Sequence, residues 1–353
     1  MIDLITEQDK QGLYIDTPSR SDMDFQIFIG SRGTGKTFTT LRPFVNYREQ
    51  NRRFIYLRNT DREAKIATTA VGNAFKSINL TYGTNIVGGF TTELGIGAFY
   101  DRYGLDSDDK SDGEVIGYAF GLSTFAGVRS IDLSDVDACV FEEFIPESHV
   151  RKMKNRGDAF LNFVETVNRN RELNGGKPVR IYLLANAIAL NDEILVALNA
   201  TKEIENMVRN GEKRRTIKDR HLYIELVEDV GIVAEKRKGA LYQVANKEFT
   251  ESALTANFHN ERLYLILKSF NQRDYRPYVS FDEYCVYQHN SNGTIHIAQT
   301  NERAKTHLLK TEVVRFRQLL RGKYILLCGA DKVTFDSYAT RAYIEQQLKI
   351  DKV

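Results

Sequence analysis

A glycine-rich loop near the start of the chain constrains the fold more than any other feature. Residues 30–37 read GSRGTGKT, which matches the pattern G-x-x-x-x-G-K-[ST] of loops that bind nucleotide phosphates. An apolar run at 24–29 (DFQIFI) precedes the loop, and a helix-like segment that is interrupted near Pro43 follows it. A strand before and a helix after are the context that the pattern needs, so we expect an α/β P-loop domain rather than an incidental glycine turn.

This phosphate loop (residues 30–37) is expected to bind ATP, because consecutive backbone N–H groups there converge on an anion. Lys36 is expected to reach the β- and γ-phosphates, and the hydroxyl of Thr37 to bind Mg²⁺. Arg32, inside the loop, is a candidate for stabilising charge in the transition state. The predicted nucleotide-binding residues are Gly30, Ser31, Arg32, Gly33, Thr34, Gly35, Lys36 and Thr37.

A second motif, DACVFEEF at 137–144, is an apolar strand that ends in two carboxylates. Beside a phosphate loop, the first acid, Glu142, is expected to bind Mg²⁺, and the second, Glu143, to orient the attacking water. A second carboxylate is typical of enzymes that hydrolyse nucleotides rather than transfer phosphate to a small acceptor. Glu142 stands where Asp is usual. This difference affects the expected rate of hydrolysis more than the expected class of enzyme. The alternative is a surface pair of glutamates after a core strand.

Positive charge is also needed to stabilise the transition state, and a neighbouring subunit often supplies the arginine. Arg169 and Arg171 in NRNRE, and Arg129 in AGVRS, are candidates, with ordinary surface charge as the alternative. Asn186, at the end of the strand-like segment VRIYLLANA, is a candidate for sensing the γ-phosphate, or for satisfying loop backbone instead.

The order of segments predicts two domains and a linker. Strand-like and helix-like segments alternate over the first two-thirds, which predicts a mostly parallel sheet covered by helices. Helix is expected at 62–79 and strand at 221–230. After about residue 259 the sequence pattern predicts short strands. It includes a hairpin turn signal at 290–293 (NSNG), an apolar strand at 323–328 (KYILLC) and a final helix. We therefore expect an ATPase domain at 1–235, a linker at 236–258 and a small α+β domain at 259–353.

Composition narrows the classes of protein that fit. The 353 residues carry a net charge of only +2, so a nucleic-acid surface must be local. The three cysteines are far apart, which fits a reducing compartment. We see no signal peptide, no apolar stretch long enough to span a bilayer, and no histidine spacing that predicts a metal site of protein ligands.

Taken together, FIGSRGTGKT, FIYLRN, CVFEEF, VNRNRE, LLANA and KRRTIKDRHLYIEL occur in an order that resembles the DNA-packaging ATPases of small tailed phages with terminal-protein-primed genomes. The likeness covers the first two-thirds of the chain well and the last third weakly. It implies an additional-strand, catalytic-glutamate P-loop fold, followed by a domain similar to an RNase-H-like nuclease that has lost its active site. It also implies a homo-oligomeric ring, expected to be a pentamer, in the host cytoplasm and transiently docked on the portal of the procapsid.

The resemblance also implies roles for particular residues. Glu143 becomes the catalytic glutamate and Glu142 the Mg²⁺ residue, although Asp is usual there in the family. Arg171 becomes the arginine that acts in a neighbouring subunit, with Arg169 second. Arg129 stands where the family has a basic residue that acts across the subunit interface, and Arg is not equivalent to Lys in geometry.

The C-terminal third is expected to have no nuclease activity, because that chemistry needs several acids around two metal ions. Asp282 and Glu283 share one strand, while Asp331 and Asp336 flank apolar segments loosely. Double-stranded DNA is the expected partner, and its phosphates need basic residues without sequence preference. The candidates are Lys213, Arg214, Arg215, Lys236, Arg237 and Lys238. A further basic cluster at 301–323 could contact the portal or capsid instead.

Three other functions remain open from the residues alone. The first is a nucleotide-dependent assembly or scaffold protein whose turnover is disabled by Glu142. The second is a membrane-associated export or assembly ATPase, which would normally carry a transmembrane helix. The third is a P-loop kinase, which the second glutamate and the large C-terminal third disfavour.

Overall fold

The computed structural model describes residues 14–91, 93, 95–105, 113–128, 132–147, 153–169, 171, 175–186, 190, 192–227, 231–245, 266 and 270–350. They form two compact units. The first unit lies within 1–188 and 207–259, and the second within 189–206 and 260–353. Each unit contains one of the two β-sheets.

The first unit is built on a nine-stranded sheet with the order β3-β4-β5-β2-β6-β7-β1-β9-β8. Its strands are β1 (Phe25–Gly30), β2 (Arg53–Arg58), β3 (Ile86–Thr91), β4 (Ile96–Asp101), β5 (Glu114–Gly121), β6 (Val136–Glu142), β7 (Arg180–Ala185), β8 (Arg214–Ile217) and β9 (Leu222–Val227). From β5 through β2, β6, β7 and β1 to β9 the strands are parallel, whereas β3, β4 and β8 pair antiparallel at the edges. The fold is therefore α/β with a mixed sheet.

The central strands are buried almost throughout their length. In β1, β7 and β9 every residue except the first of β1 and the first of β7 is buried. Strands that are covered on both faces read as continuous apolar runs rather than as alternating patterns, and the sequences FQIFIG and RIYLLA are of this kind. The same property made these segments recognisable as core strands.

The helices, in chain order, are α1 (Lys36–Leu41), α2 (Tyr47–Gln50), α3 (Asp61–Ala67), α4 (Lys76–Tyr82), α5 (Arg156–Asn168), α6 (Glu193–Ala197), α7 (Thr201–Asn210), α8 (Gly231–Arg237), α9 (Ala240–Val244), α10 (Val313–Gly329) and α11 (Tyr338–Leu348). The predicted interruption near Pro43 is confirmed, since α1 gives way there to a 3₁₀ turn at Arg42–Asn46. The single helix predicted for 62–79 is wrong. Between α3 and α4, the side chain of Asn73 bonds the backbone N–H of Phe75 and the carbonyl of Ile86, which replaces helical hydrogen bonds.

The second unit contains a five-stranded sheet with the order β13-β10-β11-β12-β14. Its strands are β10 (Tyr275–Phe281), β11 (Tyr284–His289), β12 (Ile295–Gln299), β13 (His307–Leu308) and β14 (Val333–Phe335). The hairpin turn predicted at 290–293 is present between antiparallel β11 and β12.

One strand expected in the second unit is a helix. Residues 323–328 form the C-terminal part of α10. Tyr324 and Cys328, four residues apart, are buried, while Leu326 between them is 75% exposed. A short apolar run does not distinguish a strand from one buried face of a helix by periodicity, which explains the error.

Candidate nucleotide-binding site

Four neighbouring strands end at the same edge of the large sheet. β2, β6, β7 and β1 lie side by side and run parallel, so the residues that follow their C-terminal ends converge. In open α/β sheets this edge is where ligands bind. The phosphate loop follows β1, Asn186 follows β7, Glu143 follows β6 and Arg58 ends β2. Together with Glu142 they form the candidate site.

The phosphate loop connects β1 to α1 in a tight turn. Gly35, which precedes α1, has a φ of +84°, in the left-handed region that favours glycine. A Cβ atom at Gly35 would lie 2.7 Å from the Cβ of Tyr14, so a larger residue is also excluded by packing. These constraints give a loop whose backbone can approach a bound group closely.

Lys36 folds back onto the loop that precedes it. Its ammonium group donates hydrogen bonds to the carbonyls of Ser31 at 2.7 Å and Gly30 at 3.2 Å, and to the hydroxyl of Thr34 at 3.3 Å. Burial lowers the pKa of Lys36 to about 7, with the charge of Glu142 opposing this effect. The buried ammonium thus lies at the loop with its charge only partly compensated, ready to bind an anion.

Glu142 at the end of β6 faces the start of α1. One of its carboxylate oxygens accepts a hydrogen bond from the hydroxyl of Thr37. Burial raises the pKa of Glu142 to about 7; the bond from Thr37 opposes this shift and the charge of Glu143 adds to it. A hydroxyl and a carboxylate in contact are oxygen donors of the kind that Mg²⁺ prefers. The predicted metal residues Thr37 and Glu142 therefore fit this ion.

Arg58 connects the two carboxylates. One guanidinium nitrogen lies 3.1 Å from Glu142 and the other 2.7 Å from Glu143, and only 14% of the Arg58 side chain is exposed. No role was predicted for Arg58 from the sequence. Its position at the end of a strand-like segment is visible there, but its contact with Glu142 depends on the pairing of β2 with β6, which is a property of the tertiary fold.

The backbone of Glu143 is held in an uncommon conformation. Its φ is +50°, which is unfavourable for a residue with a side chain. The side-chain amide of Asn59 donates to the Glu143 carbonyl at 2.8 Å. The buried Arg156, at the start of α5, donates to the Asn59 side-chain oxygen at 2.9 Å and to the carbonyl of Phe144. This network, which the sequence did not reveal, holds the backbone of Glu143 and Phe144 in place.

A cavity of about 540 Å³ lies over these groups. Arg32 and Asn186 line it together with Lys36, Glu142 and Glu143. Arg32 is half exposed and forms an ion pair with Glu147 across the opening. The predicted Arg32 and Asn186 therefore lie at the same cavity as the phosphate loop. The cavity is large enough for a nucleotide.

The remaining arginine candidates lie elsewhere. Arg171 donates to the carbonyls of Leu133 at 2.6 Å and Ser134 at 3.1 Å, and burial lowers the pKa of its guanidinium. Arg169 ends α5, and both arginines line a second cavity of about 280 Å³. Neither is among the described residues that line the first cavity. Arg129 lies outside the described residues.

The predicted DNA-contacting residues are divided between β8 and α8. Arg214 forms an ion pair with the buried Glu225 at 3.1 Å, and Arg215 pairs with Glu212. Lys213 precedes β8, and Arg237 and Lys238 are exposed at the end of α8. Lys236 is different, because its ammonium group donates to the carbonyl of Arg32 in the phosphate loop.

The acids of the second unit are hydrogen-bonded to protein groups. Asp336 accepts from the backbone N–H of Gln299 at 2.9 Å, and Glu283 accepts from the Gln299 side chain at 3.0 Å. Across the part of the chain that the structure describes, no group of three or more His, Cys, Asp or Glu residues is arranged to hold a metal ion. Within the same residues, no helix is long and apolar enough to cross a membrane.

Comparison with known proteins relates most of the chain to a family of phage packaging proteins. Residues 18–318 match the family described as podovirus DNA encapsidation protein (Gp16). The chain is similar to the viral genome packaging motor assembly of bacteriophage Phi-29, with 18% identity and a TM-score of 0.66, and the match covers 96% of this chain and 100% of the Phi-29 chain. It is also similar to the Phi-28 gp11 DNA packaging motor, with 17% identity and a TM-score of 0.62, and this match covers 96% of this chain and 98% of the gp11 chain. No curated protein sequence matches the chain. The two structures share the fold of both units.

Proposed function

Because the chain belongs to the podovirus DNA encapsidation protein (Gp16) family, we propose that it is an ATPase motor that drives double-stranded DNA into a preformed capsid. The observation that carries the proposal is the convergence of Lys36, Thr37, Glu142 and Glu143 on one cavity. This set combines phosphate binding, metal binding and water activation, which are the three requirements of nucleotide hydrolysis. The proposed P-loop subtype is the additional-strand, catalytic-glutamate type.

Each residue has a chemical role in this proposal. The phosphate loop and Lys36 bind the β- and γ-phosphates, and Thr37 and Glu142 hold Mg²⁺, which neutralises charge on the phosphate oxygens. Glu143 orients and polarises the attacking water. Arg58 pairs with one carboxylate oxygen of Glu143 at 2.7 Å, which leaves the other oxygen for the attacking water.

The arginines are proposed to act between subunits. Arg171, with Arg169 second, lies away from its own phosphate loop on the same unit and would reach the site of a neighbouring copy. Arg129 is proposed for the same interface, and Arg32 and Asn186 for the γ-phosphate of their own site. An arginine supplied in this way typically accelerates hydrolysis by ~10³–10⁵. The assembly would be a ring, expected to be a pentamer.

The two domains and the linker would have different functions in the motor. Residues 1–235 are proposed to hydrolyse ATP, 236–258 to link the domains, and 259–353, a domain of vestigial RNase-H-like type without nuclease activity, to contact DNA or the portal. DNA contacts are proposed for Lys213, Arg214, Arg215, Arg237 and Lys238. Two structurally similar assemblies, a viral genome packaging motor and a DNA packaging motor, support this partner class. The motor would act in the host cytoplasm, docked transiently on the procapsid.

A second function is favoured by one observation. Arg58 pairs with both Glu142 and Glu143, which competes with metal binding and water activation by these carboxylates, and Glu142 stands where Asp is usual. A nucleotide-dependent assembly protein that hydrolyses little or no ATP would have such a site.

Steady-state ATP hydrolysis, measured over a range of protein concentrations with and without long double-stranded DNA, separates the two functions. For the motor, the rate rises with DNA and more than linearly with protein, and Glu143→Gln abolishes it. Glu114→Gln is a matched control, because Glu114 is a partly exposed surface residue that pairs with Arg48 at 3.4 Å. ATP binding without turnover under all these conditions would refute the motor and favour the assembly protein.

A further inference from the structure

Lys236 lies in α8, the first described helix after β9, and touches the phosphate loop. Its ammonium group donates a hydrogen bond of 2.7 Å to the carbonyl of Arg32. The neighbouring Lys238 instead forms an ion pair with Glu235 of its own segment, with 72% of its side chain exposed. Lys236 and Lys238, two residues apart in the same basic run, thus have different surroundings, although both were predicted to contact DNA.

Lys236 lies against the loop at a residue that has no side chain, Gly33. A Cβ atom at Gly33 would lie 1.9 Å from the Lys236 nitrogen and 2.8 Å from its Cε. Gly33 also has a φ of +70°, in the region that favours glycine. The lysine therefore packs directly on the backbone of the loop, and both its position and its hydrogen bond depend on the shape of that backbone.

The carbonyl that Lys236 binds shares a peptide unit with the N–H of Gly33. Because a peptide unit is planar, fixing the direction of the carbonyl also fixes the direction of the N–H on the opposite side. A positive charge on the oxygen polarises the unit and makes the N–H a stronger donor. Lys236 thus orients and strengthens one of the loop donors that a phosphate would use.

Lys236 also adds positive charge near Lys36. Both ammonium groups donate to carbonyls of the same loop, Lys36 to Ser31 and Lys236 to Arg32, each at 2.7 Å. Two ammonium groups beside one short loop repel each other, and an anion bound to the loop relieves this repulsion. Phosphate binding is therefore favoured when Lys236 is in place, and Lys236 is held more firmly when phosphate is bound.

We propose that Lys236 is a positioning residue that couples occupancy of the phosphate loop to the position of α8. The proposal rests on the proposed function in one respect, that the loop binds ATP. Coupling between two binding events is reciprocal. If bound nucleotide stabilises the contact of α8 with the loop by a given factor, a contact that displaces α8 weakens nucleotide binding by the same factor. The segment 231–245 would in this way report the state of the site to residues that follow it.

The test compares three variants of the full chain. Lys236→Met removes the charge and keeps an unbranched stem, Lys236→Arg keeps a donor of the same charge, and Lys202→Met, at an exposed lysine of α7, is the matched control. Affinity for MgATP and MgADP is measured by calorimetry, and hydrogen exchange of residues 231–245 is followed with and without MgATP. Circular dichroism checks that each variant is folded.

We expect Lys236→Met to weaken MgATP binding about tenfold, a typical effect of losing one charge-assisted contact. Lys236→Arg should restore part of this loss, and Lys202→Met should bind as the unaltered protein does. MgATP should slow exchange in 231–245 of the unaltered protein and of Lys202→Met, but not of Lys236→Met. A purely structural role would not remove this nucleotide-dependent protection.

Different results refute different statements. If the unaltered protein binds MgATP, and Lys236→Met binds it equally well with the same protection of 231–245, the coupling is refuted while the proposed function stands. If the unaltered protein does not bind MgATP, the proposed function fails and the coupling fails with it. If Lys236→Met is unfolded, equal affinity and protection in Lys236→Arg and in a Lys236→Gln variant would likewise refute the coupling.

Discussion

Replacing Glu142 by glutamine should stabilise the nucleotide-free protein at pH 8 and much less at pH 5. Burial raises the pKa of Glu142 from the ordinary value of 4.5 to about 7. The Glu142 carboxyl therefore binds its proton more tightly in the folded protein than in the unfolded chain. The resulting destabilisation is absent well below pH 4.5, grows as pH rises and is complete above pH 7. Glutamine cannot ionise, so Glu142→Gln removes the whole effect.

The magnitude follows from the size of the shift. At about 1.4 kcal/mol for each pKa unit, a rise from 4.5 to about 7 corresponds to about 3 kcal/mol. Only 18% of the Glu142 side chain is exposed, so solvent screens this little. The guanidinium of Arg58 at 3.1 Å stabilises the ionised form and recovers part of the loss. The expected gain in the free energy of unfolding at pH 8 is about 2 kcal/mol.

Urea unfolding at both pH values is the appropriate assay. The chain contains no tryptophan, so the transition is followed by circular dichroism rather than by tryptophan fluorescence. Glu114→Gln is the control, with an expected change within about 0.5 kcal/mol at either pH. MgATP should raise the unfolding midpoint of the unaltered protein and have little effect on Glu142→Gln, which lacks a metal ligand. If Glu142→Gln is no more stable than the unaltered protein at pH 8, the argument from burial is wrong.

Two further predictions concern the second cavity and the second unit. Arg171→Ala and Glu143→Gln should each be inactive alone, with a loss of ~10³ or more for Arg171→Ala. An equal mixture should recover ATP hydrolysis, because a Glu143→Gln subunit supplies Arg171 to its neighbour; no recovery would contradict action between subunits. Burial lowers the pKa of His296 to about 4. The protein should therefore lose about 3 kcal/mol of stability as pH falls from 6.5 to 4, since the folded state resists protonation. Unfolding of His296→Asn should lack this step, and an equal pH dependence in both proteins would exclude His296 as its origin.

Local patterns predicted the groups that lie within or directly after a single strand. The loop at 30–37 carries its own signature, and Glu142 and Glu143 follow a run of buried residues in β6. Parallel strands bring their C-terminal ends to one edge, so the adjacency of these groups follows from strand direction alone. The break near Pro43 and the turn at 290–293 were likewise predictable, because proline and Asn-Gly have specific backbone preferences.

Contacts between distant segments left no local pattern. Arg58 meets Glu142 because β2 pairs with β6, and Asn59 and Arg156 meet across 97 residues. Lys236 reaches Arg32 across 204 residues, whereas its local context of Lys and Arg predicted a DNA contact. The hairpin of β3 and β4 was missed because IVGGFT contains two glycines, which weaken the strand signal.

The position of β1 in the sheet affects how the protein is made. The strand that leads into the phosphate loop pairs with β7 and β9, and Phe25 meets Leu222. A nascent chain must therefore extend by about 200 residues after β1 before its second neighbour exists, and ribosomes add about 5–20 residues per second. For at least about 10 s β1 has an unpaired edge, during which it can pair wrongly or bind a chaperone. The capacity to bind nucleotide should therefore arise late in synthesis, although the loop itself is among the first segments made.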